Sequence, residues 1–365
     1  MKPVLVINAG SSSLKFALFG NGPQALARGQ VAGIGGNAEF SVEMGGAKTR
    51  IPLRHGLAPV AAEGEVFSWL AANGFGADTI SGVGHRLVHG GLQFAQATVV
   101  DDEVMARLQP LRKLAPLHMP FGLDALATAR AAMPGLLHLA CFDTSFHVGN
   151  PDLMTRLPLA EAFAAQGYRR YGFYGLNCEH VVESFPRQTG VPLPQRLIIA
   201  HLGSGSGLCA LRDGVSFGNT MGYSTLDGLI MGTRPGSLDP GVLIGLLRDG
   251  MDLDALETML YHEAGLKGLS GISNDMRLLL QSPDPRAAMA VEHYCLAAAR
   301  HAGSLAVAMG GLDGIVFTGG VGENAGAVRD RILQYLAIFP SLRHWIIAAD
   351  EEVTMANHVM KVMGT

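Results

Sequence analysis

The chain has 365 residues, 48% of them hydrophobic and 16% charged, with a formal net charge of −4. That length holds two or three domains' worth of core, the charge content is too low for a disordered chain, and the balance gives no reason to expect nucleic acid or an anionic membrane as partner. The 48 glycines are roughly twice the usual ~7% and follow no G-X-Y period, which excludes collagen and points to tight turns and close backbone approaches.

Val4-Leu5-Val6-Ile7 runs into a Gly/Ser turn, and a second apolar run, Leu14 to Phe19, follows directly. This predicts a buried strand, a tight turn and an antiparallel partner. The turn, Asn8-Ala9-Gly10-Ser11-Ser12-Ser13-Leu14-Lys15, offers backbone N–H groups brought close by a glycine, three hydroxyls and a cation. That set suits a polyphosphate. The G-x-x-x-x-G-K-[ST] spacing is absent, so it is no Walker A loop, and a plain Ser-rich turn is the competing reading.

In Gly84-His85-Arg86-Leu87-Val88-His89-Gly90-Gly91 an arginine sits between two histidines. Its fork binds carboxylate or phosphate bidentately; a surface arginine on a strand is the alternative. Helices are predicted over Asp102 to Leu114 and over Phe121 to Met133, with another start at Asp152 after Pro151. Asp143, in Cys141-Phe142-Asp143-Thr144-Ser145-Phe146-His147, lies in an apolar stretch. A carboxylate there needs a cation, a metal or a hydrogen-bond network, or else forms a structural salt bridge.

After a connection around Pro192 and Pro194 the opening pattern returns. Leu197-Ile198-Ile199-Ala200 meets the turn His201-Leu202-Gly203-Ser204-Gly205-Ser206-Gly207, then Leu208 to Leu211 and the turn Arg212-Asp213-Gly214. Asn8 falls over His201, Gly10 over Gly203, Ser11 over Ser204 and Ser13 over Ser206, at a constant offset of 193 residues. The match predicts an internal duplication, two similar halves facing a cleft; chance likeness of two short hairpins is the alternative. Met231-Gly232-Thr233-Arg234-Pro235-Gly236 adds a second arginine in a glycine-rich loop. Two such arginines suit a phosphoryl group in transfer, whose charge is spread over three oxygens. Asp254 to Tyr261 and the Ala-rich Pro285 to Met309 read as helices. Ile315 to Thr318 reads as a strand entering a glycine turn, Gly319-Gly320-Val321-Gly322-Glu323-Asn324, that opens toward a helix at Ala325. Alternating strands and helices make this an α/β protein.

These segments together resemble acetate kinases, within the ATPase group that also holds sugar kinases, actin and Hsp70. The resemblance rests on N-A-G-S-S-S-L-K, H-R-L-V-H-G-G, L-A-P-L-H, F-D-T-S-F-H, R-R-Y-G-F, H-L-G-S-G-S, M-G-T-R, D-P-G, Ser273-Asn274-Asp275-Met276-Arg277 and G-G-V-G-E-N, in family order over essentially the whole chain. It implies two duplicated ribonuclease-H-like domains of the actin/Hsp70 type with a cleft between them. Residues 1–147, completed by 348–365, would form the first; 148–347 would form the second, nucleotide-binding and dimer-forming one. The implied reaction is reversible, Mg-ATP-dependent phosphorylation of acetate by direct in-line transfer.

By the same resemblance Asn8 and Glu351 bind Mg2+, or Mn2+ in its place. Lys15, His201, Leu202, Gly203, Ser204, Gly205, Asp275, Met276, Arg277, Gly320, Val321, Gly322, Glu323 and Asn324 contact ATP or ADP. Arg86 holds the substrate, Asp143 takes an acid/base or metal-orienting role, and Arg234 stabilises the transition state. Because a carboxylate substrate is already ionised at pH 7, we expect Asp143 to orient metal or water rather than accept a proton. Val88, Leu117 and Phe173 surround the acyl methyl group. Such a pocket discriminates by only ~1–3 kcal/mol per methylene, so propionate is the nearest alternative substrate.

The main departure is Tyr174, where the family usually has a histidine on the transferring phosphoryl group. A neutral hydroxyl there would slow turnover, be compensated by His180 or His118, or mark a nucleotide-binding homologue that no longer catalyses. Thr225 stands where many members have proline, and the segment from Ile338 to Ile347 is short, which would trim the last strand and helix. The resemblance implies a homodimer. Cys141, Cys178, Cys209 and Cys295 form no CxxC pair, and no window is apolar enough to span a bilayer. A cytoplasmic protein with reduced thiols, without nucleic-acid or membrane partners, is the expectation.

Overall fold

The computed structural model describes residues 2–10, 12–116 and 118–364. It divides into two compact units. The first comprises Met1–Phe146, Gly175–His180 and Asp350–Thr365; the second comprises His147–Tyr174 and Val181–Ala349.

Among the described residues the strands of the first unit are β1 (Val4–Ala9), β2 (Ser13–Phe19), β3 (Ala25–Ala32), β4 (Glu39–Met44), β5 (Ala47–Pro52), β6 (Gly82–Leu87), β7 (Thr98–Val99) and β8 (Leu137–Phe142). They form one sheet in the order β5-β4-β3-β2-β1-β6-β8-β7. Those of the second are β9 (Arg196–Leu202), β10 (Ser206–Arg212), β11 (Val215–Asn219), β12 (Gly314–Thr318) and β13 (Arg343–Ile346), in the order β11-β10-β9-β12-β13. Strand for strand, β3-β2-β1-β6-β8 repeats as β11-β10-β9-β12-β13. In each, a central strand has an antiparallel neighbour on one side and a parallel one on the other. The 193-residue sequence repeat is therefore a repeat of topology.

Both faces of the first sheet are covered, which is why β1 reads as an unbroken apolar run. Leu5 and Ile7 pack with Leu14, Phe16 and Leu18 among side chains that include Ala62, Val66 and Leu70, from the helix Pro59–Ala72. Val4 and Val6 face the other way, with Ala17, Phe19, Met355, Ala356 and Val359. The last three belong to the closing helix Glu351–Met363. That helix lies close because β6 carries glycine at two positions beneath it. A Cβ on Gly82 would stand 2.9 Å from Val359 Cγ1, and one on Gly84 3.2 Å from its Cγ2. The last strand, Arg343–Ile346, is four residues long and the closing helix thirteen.

In the second unit Ala287, Ala290, Ala298, Ala299, Ala302 and Ala306 of Pro285–Met309 are buried with Ile198, Ala200, Leu208 and Ala210. Alanine's small side chain explains how so long a helix approaches the sheet. Three sequence expectations change. The helix predicted to end at Tyr261 is α-helical over Leu253–Thr258 and then widens into a π-turn, Met259–Glu263. Gly319–Asn324 is itself helical rather than a glycine turn. Residues 175–180, expected in the second domain, group with the first unit. Gly175 N–H bonds Asp143 O at 2.8 Å, Thr354 Oγ1 bonds Leu176 O at 3.3 Å, and Leu176 joins the core of the closing helix.

One buried acid has a measurable consequence. Glu63, on Pro59–Ala72, is 4% exposed and its Oε2 has no hydrogen-bond partner among the described residues. Burial pushes its carboxyl from 4.5 up to about 7, with the Thr128 hydrogen bond opposing and Asp124 adding to the rise. Between those values the folded chain holds a proton that the unfolded chain releases, so stability falls as pH rises and levels off above about 7. Glu63→Gln removes this dependence. It should match the parent near pH 4.5 and exceed it by up to about 3 kcal/mol at pH 8 in urea denaturation. An equal gain at both values would show that the charge is not the cause.

Candidate active site

In the first unit four chain segments converge on one guanidinium. Arg86 lies near the end of β6, Asn8 near the end of β1, Asp143 directly after β8, and Glu351 at the first turn of the closing helix. Arg86 Nε and Nη2 donate to Asp143 Oδ1 and Oδ2 at 3.0 and 2.5 Å, and Nη1 donates to Asn8 Oδ1 at 3.1 Å. Glu351 Oε2 stands 3.3 Å from Arg86 Nε and accepts from Asn8 Nδ2 at 3.5 Å. The Asp143 side chain is 2% exposed, so the cation it required is the other candidate residue. Asp143 N–H bonds Leu87 O at 3.1 Å. A Cβ on Gly175 would stand 2.3 Å from Asp143 O, so only glycine lets the next helix begin there.

Lys15 pairs with Asn8 across the β1–β2 register. Arg28 anchors the start of the closing helix through Asp350 at 2.5 Å and Glu352 at 3.5 Å. Burial raises the Glu352 carboxyl, Glu351 adds to this, and Lys15 opposes it. The two histidines flanking Arg86 play another part. Burial holds His85 well below its ordinary value, helped by His138, whose ring nitrogen is 3.0 Å away; burial takes His89 down to about 4. Both are neutral packing groups at pH 7. Two carboxylates and an amide oxygen around one cation form a hard-oxygen donor set, the chemistry that Mg2+ and Mn2+ accept.

In the second unit the β9–β10 turn is the counterpart of the first hairpin. Tyr174 lies with its ring on His201, centroids 4.1 Å apart and planes within 9°. A Cβ on Gly205 would meet Tyr174 Oη at 2.2 Å and Arg234 Nη2 at 2.6 Å. The tyrosine hydroxyl and the arginine thus share the space over one glycine. Arg234 Nη1 is held by Thr225 O at 2.8 Å, a carbonyl that proline would offer equally. The Arg234 loop is clamped by backbone bonds from Ala264, Leu266 and Lys267 to Thr233, Met231 and Gly232. Gly265, at φ +63°, lets these chains touch: a Cβ there would be 2.2 Å from Met231 O.

The remaining expected nucleotide residues sit in this unit too. A Cβ on Gly319 would be 2.8 Å from Leu202 O, and one on Gly203 would be 4.0 Å from Gly320 N, so the β9–β10 turn and the 319–324 helix adjoin. Gly322 is buried and Val321 packs on the core. Asn324 Nδ2 donates to Gly320 O, Glu323 Oε1 accepts from Ala349 N, and Ser204 O accepts from Gly232 N. Asp275 caps Met276–Gln281 and pairs with Arg277 at 2.6 Å, while Met276 turns its side chain into the core. Val88 is buried in the first unit and Phe173 in the second. Leu117 lies outside the described residues, as does Ser11.

Sequence reasoning missed the groups behind Tyr174. His147 was visible only as the end of F-D-T-S-F-H, and nothing in the sequence ties it to Asn219 or to the Phe173 carbonyl that both of them bind.

Residues 3–359 match the model of the acetokinase family. An acetate kinase of Rhodopseudomonas palustris is 38% identical over 390 residues, covering 98% of both chains. One from Rhizobium meliloti is 42% identical over 346 residues, covering 92% of this chain and 87% of its own. Among solved structures, a Francisella tularensis propionate kinase superposes with a TM-score of 0.91 at 30% identity, covering 98% of this chain and 99% of that one. A Porphyromonas gingivalis acetate kinase gives 0.88 at 30% identity with full coverage of both.

Proposed function

The chain belongs to the acetokinase family, and from that premise we propose that it phosphorylates acetate with ATP by direct in-line transfer at the sites just described. The observation that carries the reading is the guanidinium of Arg86, forked onto buried Asp143 and shared with Asn8 and Glu351.

Acetate is already ionised at pH 7, so no strong base is needed. Its oxygen attacks the γ-phosphorus, the bond from phosphorus to the bridging oxygen of ADP breaks, and no proton changes hands. Arg86 orients the acetate carboxylate, exchanging one of its forked bonds for it, and Asp143 keeps the guanidinium in place. Arg234 and the Tyr174 hydroxyl offset the charge on the transferring group. Lys15, the His201–Gly205 turn, Asp275–Arg277 and Gly320–Asn324 receive the nucleotide. Asn8 and Glu351 would hold Mg2+, which supplies charge neutralisation and alignment at the phosphates. Val88, Leu117 and Phe173 are assigned to the acyl methyl group.

A coupled ADP assay with acetate, propionate and butyrate, with and without chelator, checks this. We expect acetate to be best, propionate to fall about 10- to 200-fold in kcat/KM, and chelation to stop turnover. No turnover with any of the three would overturn the reading. The second unit would also form a homodimer. Its helix Pro240–Arg248 buries no residue, yet carries Val242, Ile244 and Leu247, between 44 and 50% exposed. A monomer at micromolar concentration in sedimentation would refute that. The buried, unbridged thiols suit a cytoplasmic location.

A further inference from the structure

Tyr174 has φ +61°, a left-handed conformation that a residue with a Cβ adopts only when its surroundings impose it. Those surroundings are visible one residue upstream. The Phe173 carbonyl accepts two hydrogen bonds, from His147 Nε2 at 2.9 Å and from Asn219 Nδ2 at 3.1 Å. Both donors are buried, and each is oriented by a second partner. A carbonyl only accepts, so His147 Nε2 carries the proton. Nδ1 contacts Ser216 Oγ at 2.8 Å. Asn219 Oδ1 accepts from Met221 N at 2.9 Å, which turns its NH2 toward Phe173. The backbone just before is fitted to the same ring. Gly172 has φ +81°, and a Cβ on it would stand 2.8 Å from the His147 imidazole.

We propose that His147 and Asn219 are positioning residues for the phosphoryl-transfer reaction: by fixing the Phe173 carbonyl they set the turn that lays the Tyr174 ring on His201 and brings its hydroxyl beside Arg234. The proposal rests on the reading of Tyr174 and Arg234 given above, and it goes beyond that reading by naming what holds them. It also explains how a tyrosine serves at this place. From the left-handed turn the ring lies on His201 and its hydroxyl reaches the space over Gly205.

Two measurements test it. The first is a kinetic cycle of His147→Ala, Tyr174→Phe and the double variant. Expected is a fall in kcat of about 10- to 100-fold for His147→Ala, with KM for ATP and acetate little changed and most of the loss recovered in His147→Gln. On the Tyr174→Phe background the same substitution should cost far less, because the hydroxyl it positions is gone. Losses that multiply would overturn the proposal, since a merely structural role predicts independence. The second is the proton spectrum of the His201 imidazole, shifted upfield by the stacked ring. His147→Ala should abolish that shift and Tyr174→Phe should keep it; an unchanged signal in His147→Ala sinks the proposal. This arm needs no turnover, so it decides the positioning role even if the parent protein fails to phosphorylate acetate, a result that would refute only the catalytic reading. If His147→Ala does not fold, Asn219→Ser takes its place in both arms, with the same expectations.

Discussion

Arg86→Ala should stop acetate phosphorylation and weaken the fold at once. Arg86 gives two bonds to Asp143, whose side chain is 2% exposed, and a third to Asn8. Truncation removes the group assigned to substrate, and losing well-aimed donors costs about 10²- to 10³-fold each in turnover. It also takes two charge-assisted bonds from a buried carboxylate, and losing one partner of a buried pair usually costs about 3–5 kcal/mol. Arg86→Lys should regain stability and little activity, because one ammonium cannot make the fork. The double variant Arg86→Met with Asp143→Leu should regain stability and no activity. Urea denaturation beside the coupled assay reads all of this. An Arg86→Ala protein as stable as its parent, or turning over within tenfold of it, would show that the pair is neither buried support nor substrate fork.

Gly205→Ala should do the reverse, sparing the fold and removing the activity. A methyl there would stand 2.2 Å from Tyr174 Oη and 2.6 Å from Arg234 Nη2, and both are the far ends of flexible side chains. They can swing aside, so the stability cost should stay within about 1 kcal/mol, as for a substitution without a named core defect. Displacing both polar groups from the place where charge develops should lower kcat by at least about 10²-fold. Gly22→Ala, on an exposed turn where a Cβ meets nothing within 4 Å, is the control and should leave both quantities almost unchanged. Normal kcat in Gly205→Ala would remove Tyr174 and Arg234 from the reaction.

Much of the first site was readable because its residues are short-range signals on strand ends. Asn8 and Lys15 flank one turn, Arg86 stands between two histidines beside glycines, and Asp143 follows an apolar run. A charged residue at the end of an apolar run is a question that the sequence itself poses. Their union was not readable: β1, β6 and β8 are adjacent strands whose candidate residues lie up to 135 positions apart, Asn8 to Asp143. The helical state of Gly319–Asn324 was missed because three glycines in six residues argue against helix locally, and the packing of Val321 and Gly322 overrides that propensity. The Tyr174 substitution was visible at once; its left-handed backbone and its stack on His201 were not, since neither leaves a pattern in residue order.

Strand periodicity, turn composition and charge are local properties of the chain, so the α/β class, the duplicated hairpins and the residue types that carry chemistry are legible in residue order. The tertiary structure alone decided which groups meet: Arg86 with Asp143, Asn8 and Glu351, and Tyr174 with His201 over Gly205. Those meetings depend on sheet order and on where glycine permits close approach, at Gly82, Gly84, Gly175 and Gly265. They are long-range packing outcomes, fixed only when whole surfaces are buried together.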